Sequence, residues 1–370
     1  MQTPKRSRQP DTPGLILTLA LAILFPVSSL ADSIRVATFN TELSRDGPGL
    51  LLRDILSKKD DQVAAVVQVV ATVQPDILVL QGLDWDYESR ALTALAAAFA
   101  AKDAAYPNSF AAQPNGGRTT GLDLDGDGRT GGPGDAQGYG AFTGKGGIAV
   151  LSRFPIRLTQ VVDFSHMLWR DLPGAELPVL DGAPFPSRQA QTVQRLSSTA
   201  HWVIPIALPD GDMHLLTYQA GPPVFDGPED RNGLRNRDEN RFWQLYLDGA
   251  FGTAPPAQYV IAGGANLDPH DSDGRRSAIQ SLLSDPRLQD PEPASAGAAA
   301  APDQGHRGSN ALDTVDWERA GRLRVDYILP GSDWRVINSG VYWPESGKPG
   351  SEAALTASRH RLVWVDLAFN

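Results

Sequence analysis

Residues Tyr259 to Pro269 read Y-V-I-A-G-G-A-N-L-D-P. A short apolar run stops at two glycines and opens into Ala265, Asn266, Leu267 and Asp268. That is the pattern of a buried strand whose C-terminal end becomes a polar loop. In α/β proteins the chemistry sits outside such strand ends. Similar runs recur along the chain. Ile34–Asn40 ends on an asparagine, Asp76–Leu80 is almost wholly apolar, and Gly147–Leu151, Arg324–Leu329 and Leu362–Leu367 read as further strands. Helical spacing covers much of Leu50 to Val73 and Ala91–Lys102, so the chain opens strand, helix, strand, as an α/β domain does.

The middle of the chain follows the same rules. His201–Ile206 and His214–Tyr218 predict a hairpin around Pro209-Asp210-Gly211-Asp212. Gly221 to Gly233 predicts a long irregular loop, Asp238–Phe251 a helix with Phe242, Leu245 and Tyr246 inward, and Arg276–Leu283 another helix. Pro291–Gly308, rich in Ala, Gly and Pro, predicts a flexible segment. No linker divides the chain. The expected organisation is a leader over residues 1–31 and one domain over 32–370.

The leader rests on Lys5, Arg6 and Arg8 ahead of an apolar run from Leu15 to Phe25, with Ser29-Leu30-Ala31 spaced for cleavage after Ala31. The run is short for a membrane span. It therefore predicts a cleaved signal peptide, a periplasmic or secreted protein and no membrane span after cleavage. The chain has no cysteine, so disulfides play no part. Its formal charge is −10, and residues 1–31 carry a net +2, which leaves −12 without them. No dense Lys/Arg block offsets that charge, so polynucleotides are disfavoured as ligands.

Asp123 to Gly134 contains D-x-D-x-D-G, the first half of a calcium loop, with Asp123, Asp125 and Asp127 at alternate ligand positions and Gly128 at the turn. The acidic residue that should complete it is Gly134, with Asp135 one step on. A solvated Asp/Gly turn has the same composition.

The Tyr259 run resembles the G-D-x-N signature of the endonuclease/exonuclease/phosphatase superfamily, and the resemblance extends over roughly residues 34 to 368. It implies a deoxyribonuclease-I-like, four-layer α/β sandwich, with two packed mixed β-sheets flanked by helices. It also implies phosphoester hydrolysis assisted by Mg²⁺ or Mn²⁺. Carried over by position, Asn40 matches the metal-side asparagine, Asn266 the asparagine of the signature, His360 the terminal histidine, and Asp326 the aspartate that orients it. Four positions depart. Gly82 stands where the family has its metal-binding glutamate, Gln219 where it has a histidine, Gly264 where the signature has its aspartate, and Arg359 where S-D-H has its aspartate.

These departures remove three carboxylates and an imidazole from one pocket and add a guanidinium. A hard cation needs anionic oxygens, and losing one catalytic group of this kind costs about 10²–10⁴ in rate. The resemblance therefore implies an exported family member whose hydrolysis is impaired or lost, a pseudoenzyme acting by binding. One alternative is an active hydrolase with a rearranged site using Asp84, Asp326 and His360, although an Asp84 ligand would sit roughly 6–7 Å from the Gly82 position. The other is a calcium-dependent surface module using the Asp123 loop. The partner would be a small phosphoester, a protein or a glycan. His201, His214, His270 and His306 lack ligand spacing, and Trp202 and Trp243 suit the core.

Overall fold

Period-2 alternation fixes which way each strand faces. In β1 (Ile34–Asn40), Ile34 and Val36 pack between two sheets, while Ala37 and Phe39 pack under helices. Asn40 therefore points between the sheets, on the Val36 side. The computed structural model describes residues 1–4, 33–252, 257–301, 303 and 305–369. The expected signal peptide falls almost wholly on residues outside that description. From Ser33 onward the chain forms one compact unit. Among the described residues no helix is long and apolar enough to cross a membrane.

After β1 come α1 (Leu50–Ser57), α2 (Asp61–Val73), β2 (Ile77–Leu83), α3 (Arg90–Ala100), β3 (Asn108–Phe110) and β4 (Gly147–Ser152). The single helical stretch expected over Leu50 to Val73 is two helices. Lys58 ends the first in a left-handed conformation, and the Asp60 carboxylate caps the second by accepting Val63 N at 2.8 Å. Next are β5 (Val162–Asp163), β6 (Val179–Leu180), β7 (Ala183–Pro184), α4 (Arg188–Val193), β8 (His201–Leu208), β9 (Gly211–Gln219) and α5 (Arg231–Leu247). The last part holds β10 (Tyr259–Gly264), α6 (Ser277–Leu283), α7 (Ala296–Ala300), β11 (Val315–Trp317), β12 (Gly321–Leu323), β13 (Asp326–Pro330), β14 (Trp334–Val341), α8 (Ser351–Ala357) and β15 (Val363–Phe369).

One sheet runs β14-β15-β1-β2-β4-β3 and the other β13-β10-β9-β8-β5. Each holds one parallel pair, β1 with β2 and β9 with β10, inside antiparallel neighbours. An apolar core lies between the sheets, built from Val36, Val79, Trp202, Ile204, Val260 and Val365 among others. A second packs α1, α2 and α3 on the outer face of the six-stranded sheet, and a third packs α5 and α6 on the five-stranded one. The result is helix, sheet, sheet, helix. Register then brings the strand ends together: Asn40 pairs with Gln81, Gly264 with Gln219 on one side and with Asp326 on the other. By alternation Gln219, Gly264 and Asp326 share the face of Leu215, Ala262 and Ile328, the one turned to the other sheet.

Two expectations need correcting. The helix expected at Asp238 begins seven residues earlier, at Arg231, and shortens the loop before it. The segment expected to be flexible carries α7, capped by the Ser295 side chain.

Candidate functional site

His360 lies just ahead of β15 and is 3% exposed. Its Nδ1 is 2.8 Å from Asp326 Oδ2, and its Nε2 is 3.3 Å from Asn40 Nδ2. With Nδ1–H donated to the carboxylate, Nε2 accepts from the asparagine. Thr314 Oγ1 donates to the same Asp326 oxygen at 2.9 Å and accepts the backbone N–H groups of Val325 and Asp326. The Trp317 ring stands edge-on to the imidazole at 5.5 Å. The histidine thus joins β1 of one sheet to β13 of the other, with no open side of its own.

Glu42, two residues past Asn40, dominates the neighbouring space. Its carboxylate accepts Arg359 N at 2.9 Å, Arg359 Nε at 2.9 Å, Arg359 Nη2 and the Ser358 hydroxyl. Burial pushes its carboxyl up, but the Arg359 hydrogen bonds, with His360, more than offset that and hold it below the usual range. Asn40 Oδ1 accepts Glu42 N at 3.3 Å.

Both glycines of interest are sterically closed. Gly82 has φ +68°, and a Cβ there would lie 2.6 Å from Asn40 Oδ1 and 2.9 Å from Glu42 N. A Cβ on Gly264 would lie 2.1 Å from Gln219 Oε1. The Gln219 carboxamide therefore fills the volume in which a side chain at 264 would sit. Its Oε1 is buried and accepts no hydrogen bond. Asn266, at φ +49°, donates from Nδ2 to Ala220 O at 2.7 Å. Asp84 is placed elsewhere: it accepts Ser44 Oγ at 2.8 Å, Arg45 N at 2.7 Å and Gly146 N at 3.1 Å, and is a loop anchor.

A cavity of about 690 Å³ opens beside Gln219 and Asn266. Glu239 of α5 forms part of its wall. It accepts Ser198 N at 2.5 Å and Gly221 N at 2.8 Å. Burial pushes its carboxyl up to about 7, against the pull of Arg235 and those two N–H groups. Asp125, from the acidic loop, also lines the cavity.

In that loop the cluster is Asp123, Asp125 and Asp135, whose oxygens lie within 4.8 Å of one another and could hold a metal ion. Asp127, expected as the third ligand, instead accepts Arg129 N at 2.8 Å. The chain turns back through a 3₁₀ turn at Pro133–Asp135 and brings Asp135 inward. Asp135 is itself braced by Leu124 N and Gly132 N, at 2.9 and 2.8 Å. Burial, with Asp135 and Asp127 nearby, raises the Asp125 carboxyl despite the Asp127 N–H it accepts.

The sequence model of the Endonuclease/Exonuclease/phosphatase family matches residues 37–360. The chain belongs to that family. Among solved structures, it resembles an endonuclease/exonuclease/phosphatase from Beutenbergia cavernae DSM 12333, with 18% identity over 91% of this chain and 72% of that one and a TM-score of 0.51. It also resembles sphingomyelinase C from Streptomyces griseocarneus, at 19% over 90% and 99% with a TM-score of 0.48. A third is the human Nocturnin catalytic domain, at 15% over 91% and 94% with a TM-score of 0.48. At such identities the likeness speaks for the fold alone. No curated protein matches the chain in sequence.

For an endonuclease/exonuclease/phosphatase family member, the strand ends are short of ligands. The carboxylate of Glu42, two residues past Asn40, is held by Arg359 and Ser358. One oxygen of Asp326 is taken by His360 and Thr314, and the other is buried without a partner. Gly82 and Gly264 supply no oxygen, and their side-chain volumes are filled. This donor set does not fit a divalent cation. Sequence reasoning missed Glu42, whose only signal is its place two residues after Asn40 and opposite an arginine. It also missed that Gln219 fills the Gly264 space, a relation of register rather than of motif.

Proposed function

We propose that this exported family member no longer carries out metal-dependent phosphoester hydrolysis at the strand ends and acts by binding. The observation that carries the reading is the packing at the two glycines. Asn40 Oδ1 and Gln219 Oε1 stand where side chains at 82 and 264 would begin, so the gaps are closed. Arg359 adds a cation that pairs with the carboxylate of Glu42, two residues past Asn40. The His360–Asp326 pair is kept as a hydrogen-bonded bridge. The rearranged hydrolase using Asp84 is disfavoured because three donors already hold that carboxylate. The test is turnover of phosphomonoester and phosphodiester substrates by the pure protein with Mg²⁺ or Mn²⁺. We expect no metal-dependent rate above background, and robust turnover abolished by chelator would overturn the reading.

A second reading is favoured by the acidic cluster at the cavity. Asp123, Asp125 and Asp135 take Ca²⁺, making the protein a calcium-dependent binding module. A ligand that binds only the folded state raises stability by RT ln(1 + [L]/Kd). The thermal midpoint should therefore rise with millimolar Ca²⁺ and the rise should vanish in Asp123→Asn. Identical midpoints with Ca²⁺ and with chelator would sink it.

A further inference from the structure

We propose that Arg118, Arg195 and His166 form a binding site for a phosphate dianion, either inorganic phosphate or the phosphate of a monoester. None of the three lines the 690 Å³ cavity. The site is therefore separate from the strand ends and does not depend on whether they hydrolyse.

The fold gathers these cations from three segments. Arg195 lies between α4 and β8 and pairs across to Leu168, two residues past His166. Leu196 N on Met167 O and Trp169 N on Gln194 O, both at 2.9 Å, hold that pairing. Two buried carboxamides bring in Arg118. Asn115, 0% exposed, accepts Arg195 Nη1 on its Oδ1 at 2.8 Å and donates from Nδ2 to Ser165 O, beside His166, at 2.8 Å. Its main-chain carbonyl accepts Arg118 N at 3.0 Å. Gln137 ties the same two arginines again: its Oε1 accepts Arg195 N, and its main-chain N donates to Arg118 O, both at 2.8 Å.

The charges so gathered lack counterions. Arg195 has one side-chain partner, the neutral carboxamide of Asn115. Among the described residues, the side chains of Arg118 and His166 make no hydrogen bond or ion pair. Elsewhere this chain pairs its arginines, Arg35 with Asp366, Arg153 with Asp76 and Arg324 with Asp290. Leaving two side by side is unusual for a chain of formal charge −10.

The cations also oppose one another. Burial, then the guanidinium of Arg118, lowers Arg195 from its ordinary value. Partial cover, then Arg195 and Arg118, holds the His166 imidazole below its own. Asp163 pulls both the other way, but its Oδ1 already accepts Ser165 N at 2.8 Å. A bound anion removes that repulsion, and it can reach the site: His166 is exposed, and Arg118 and Arg195 are partly so.

Charge selects the anion. A carboxylate balances one guanidinium and leaves the other unpaired. A phosphate dianion balances both, suits the guanidinium fork, and keeps an oxygen for the imidazole. A phosphodiester carries a single charge and is the poorer match.

Titration of the pure full-length protein with inorganic phosphate, glycerol 3-phosphate and acetate tests this, at constant ionic strength and with the His166 ring signals followed by NMR. We expect saturable binding of a phosphate probe in the millimolar range or tighter, with acetate at least about tenfold weaker. Glycerol 3-phosphate tighter than inorganic phosphate would identify the ligand as a monoester, and the reverse as the free ion. A bound anion favours the charged imidazole, so the titration midpoint of His166 should move to higher pH. Arg118→Ala and His166→Gln should each weaken binding about tenfold. Neither side chain braces the fold, so both variants should keep the wild-type thermal midpoint, whereas Arg195 is left intact because it holds Asn115. Four outcomes overturn the inference: no saturable binding of either phosphate probe, binding unchanged in both variants, acetate as tight as phosphate, or binding that leaves the His166 signals where they were. The last would place the phosphate elsewhere on the protein.

Discussion

Glu42 occupies φ +49°, a region that residues bearing a Cβ seldom visit. The strain is offset by the donors it meets there: the main-chain N–H and the guanidinium edge of Arg359, plus the hydroxyl of Ser358. An internal cation, Arg359, pairs with that carboxylate. Asp313 shows the opposite case, an acid with too few partners. It is 3% exposed, its Oδ2 has no hydrogen-bond partner, and His306 Nδ1 lies 3.8 Å away. Burial pushes its carboxyl from 3.8 up to about 7; Asp268 and Asp303 add to the rise, and His306 and Asn310 oppose it. The fold therefore prefers the protonated acid. Its contribution to stability is complete below the unfolded value near 3.8 and is lost as pH rises through about 7. Asp313→Asn removes that loss. The variant should match the wild type in thermal midpoint at pH 4 and exceed it at pH 8. Midpoint curves that stay parallel from pH 4 to 8 would show that the carboxyl does not titrate this way.

At the scale of elements, apolar periodicity was enough wherever a strand is central. Ile34–Asn40 is bounded as the alternation predicts, and the β8–β9 hairpin and β10 begin where their apolar runs begin. Periodicity failed where burial is polar or one-sided. The first turns of α5 bury Arg235, Asn236, Asp238, Glu239 and Asn240, which are satisfied largely by loop main chain, so the helix has almost no apolar stripe before Phe242. Strand β14 is an edge with a bulge at Val336/Asn338, and its exposed Arg335 and Asn338 mask it as a loop. The strand ends at Asn40 and Gly264 were legible, because the apolar runs that stop there are visible in the chain. Their closure was not, since it depends on which side chain crosses from a neighbouring strand. Gly264 and Gln219 make that testable as a pair. Gly264→Asp forces Gln219 out of its place and should cost about 1–3 kcal/mol by overpacking. In a Gln219→Ala background the same substitution should cost distinctly less, because residues in contact do not add. Urea midpoints of the two single variants and the double give the coupling. Strict additivity would mean that the carboxamide does not fill the Gly264 space.

For the whole molecule, the question is what holds the two sheets in register at the end where their strands stop. Apolar packing between them covers the middle, with Trp202, Ile204, Val260 and Val365 at its centre. At the strand ends the packing gives way to polar groups, and the His360–Asp326 pair spans the gap with both side chains at most 3% exposed. A buried pair is weak evidence of net stabilisation, but removing one partner strands the other in a low dielectric. Asp326 is already poorly provided for, since its Oδ1 has no partner and its Oδ2 would keep only Thr314. His360→Ala should therefore destabilise the fold by about 3–5 kcal/mol. The double variant His360→Ala, Asp326→Asn should recover part of that loss, because the stranded charge is gone. Chemical denaturation of the three proteins at pH 7 reads this directly. If the pair were a catalytic device resting on an independent scaffold, His360→Ala would leave the unfolding midpoint nearly unchanged, and the structural role assigned to the bridge would fall.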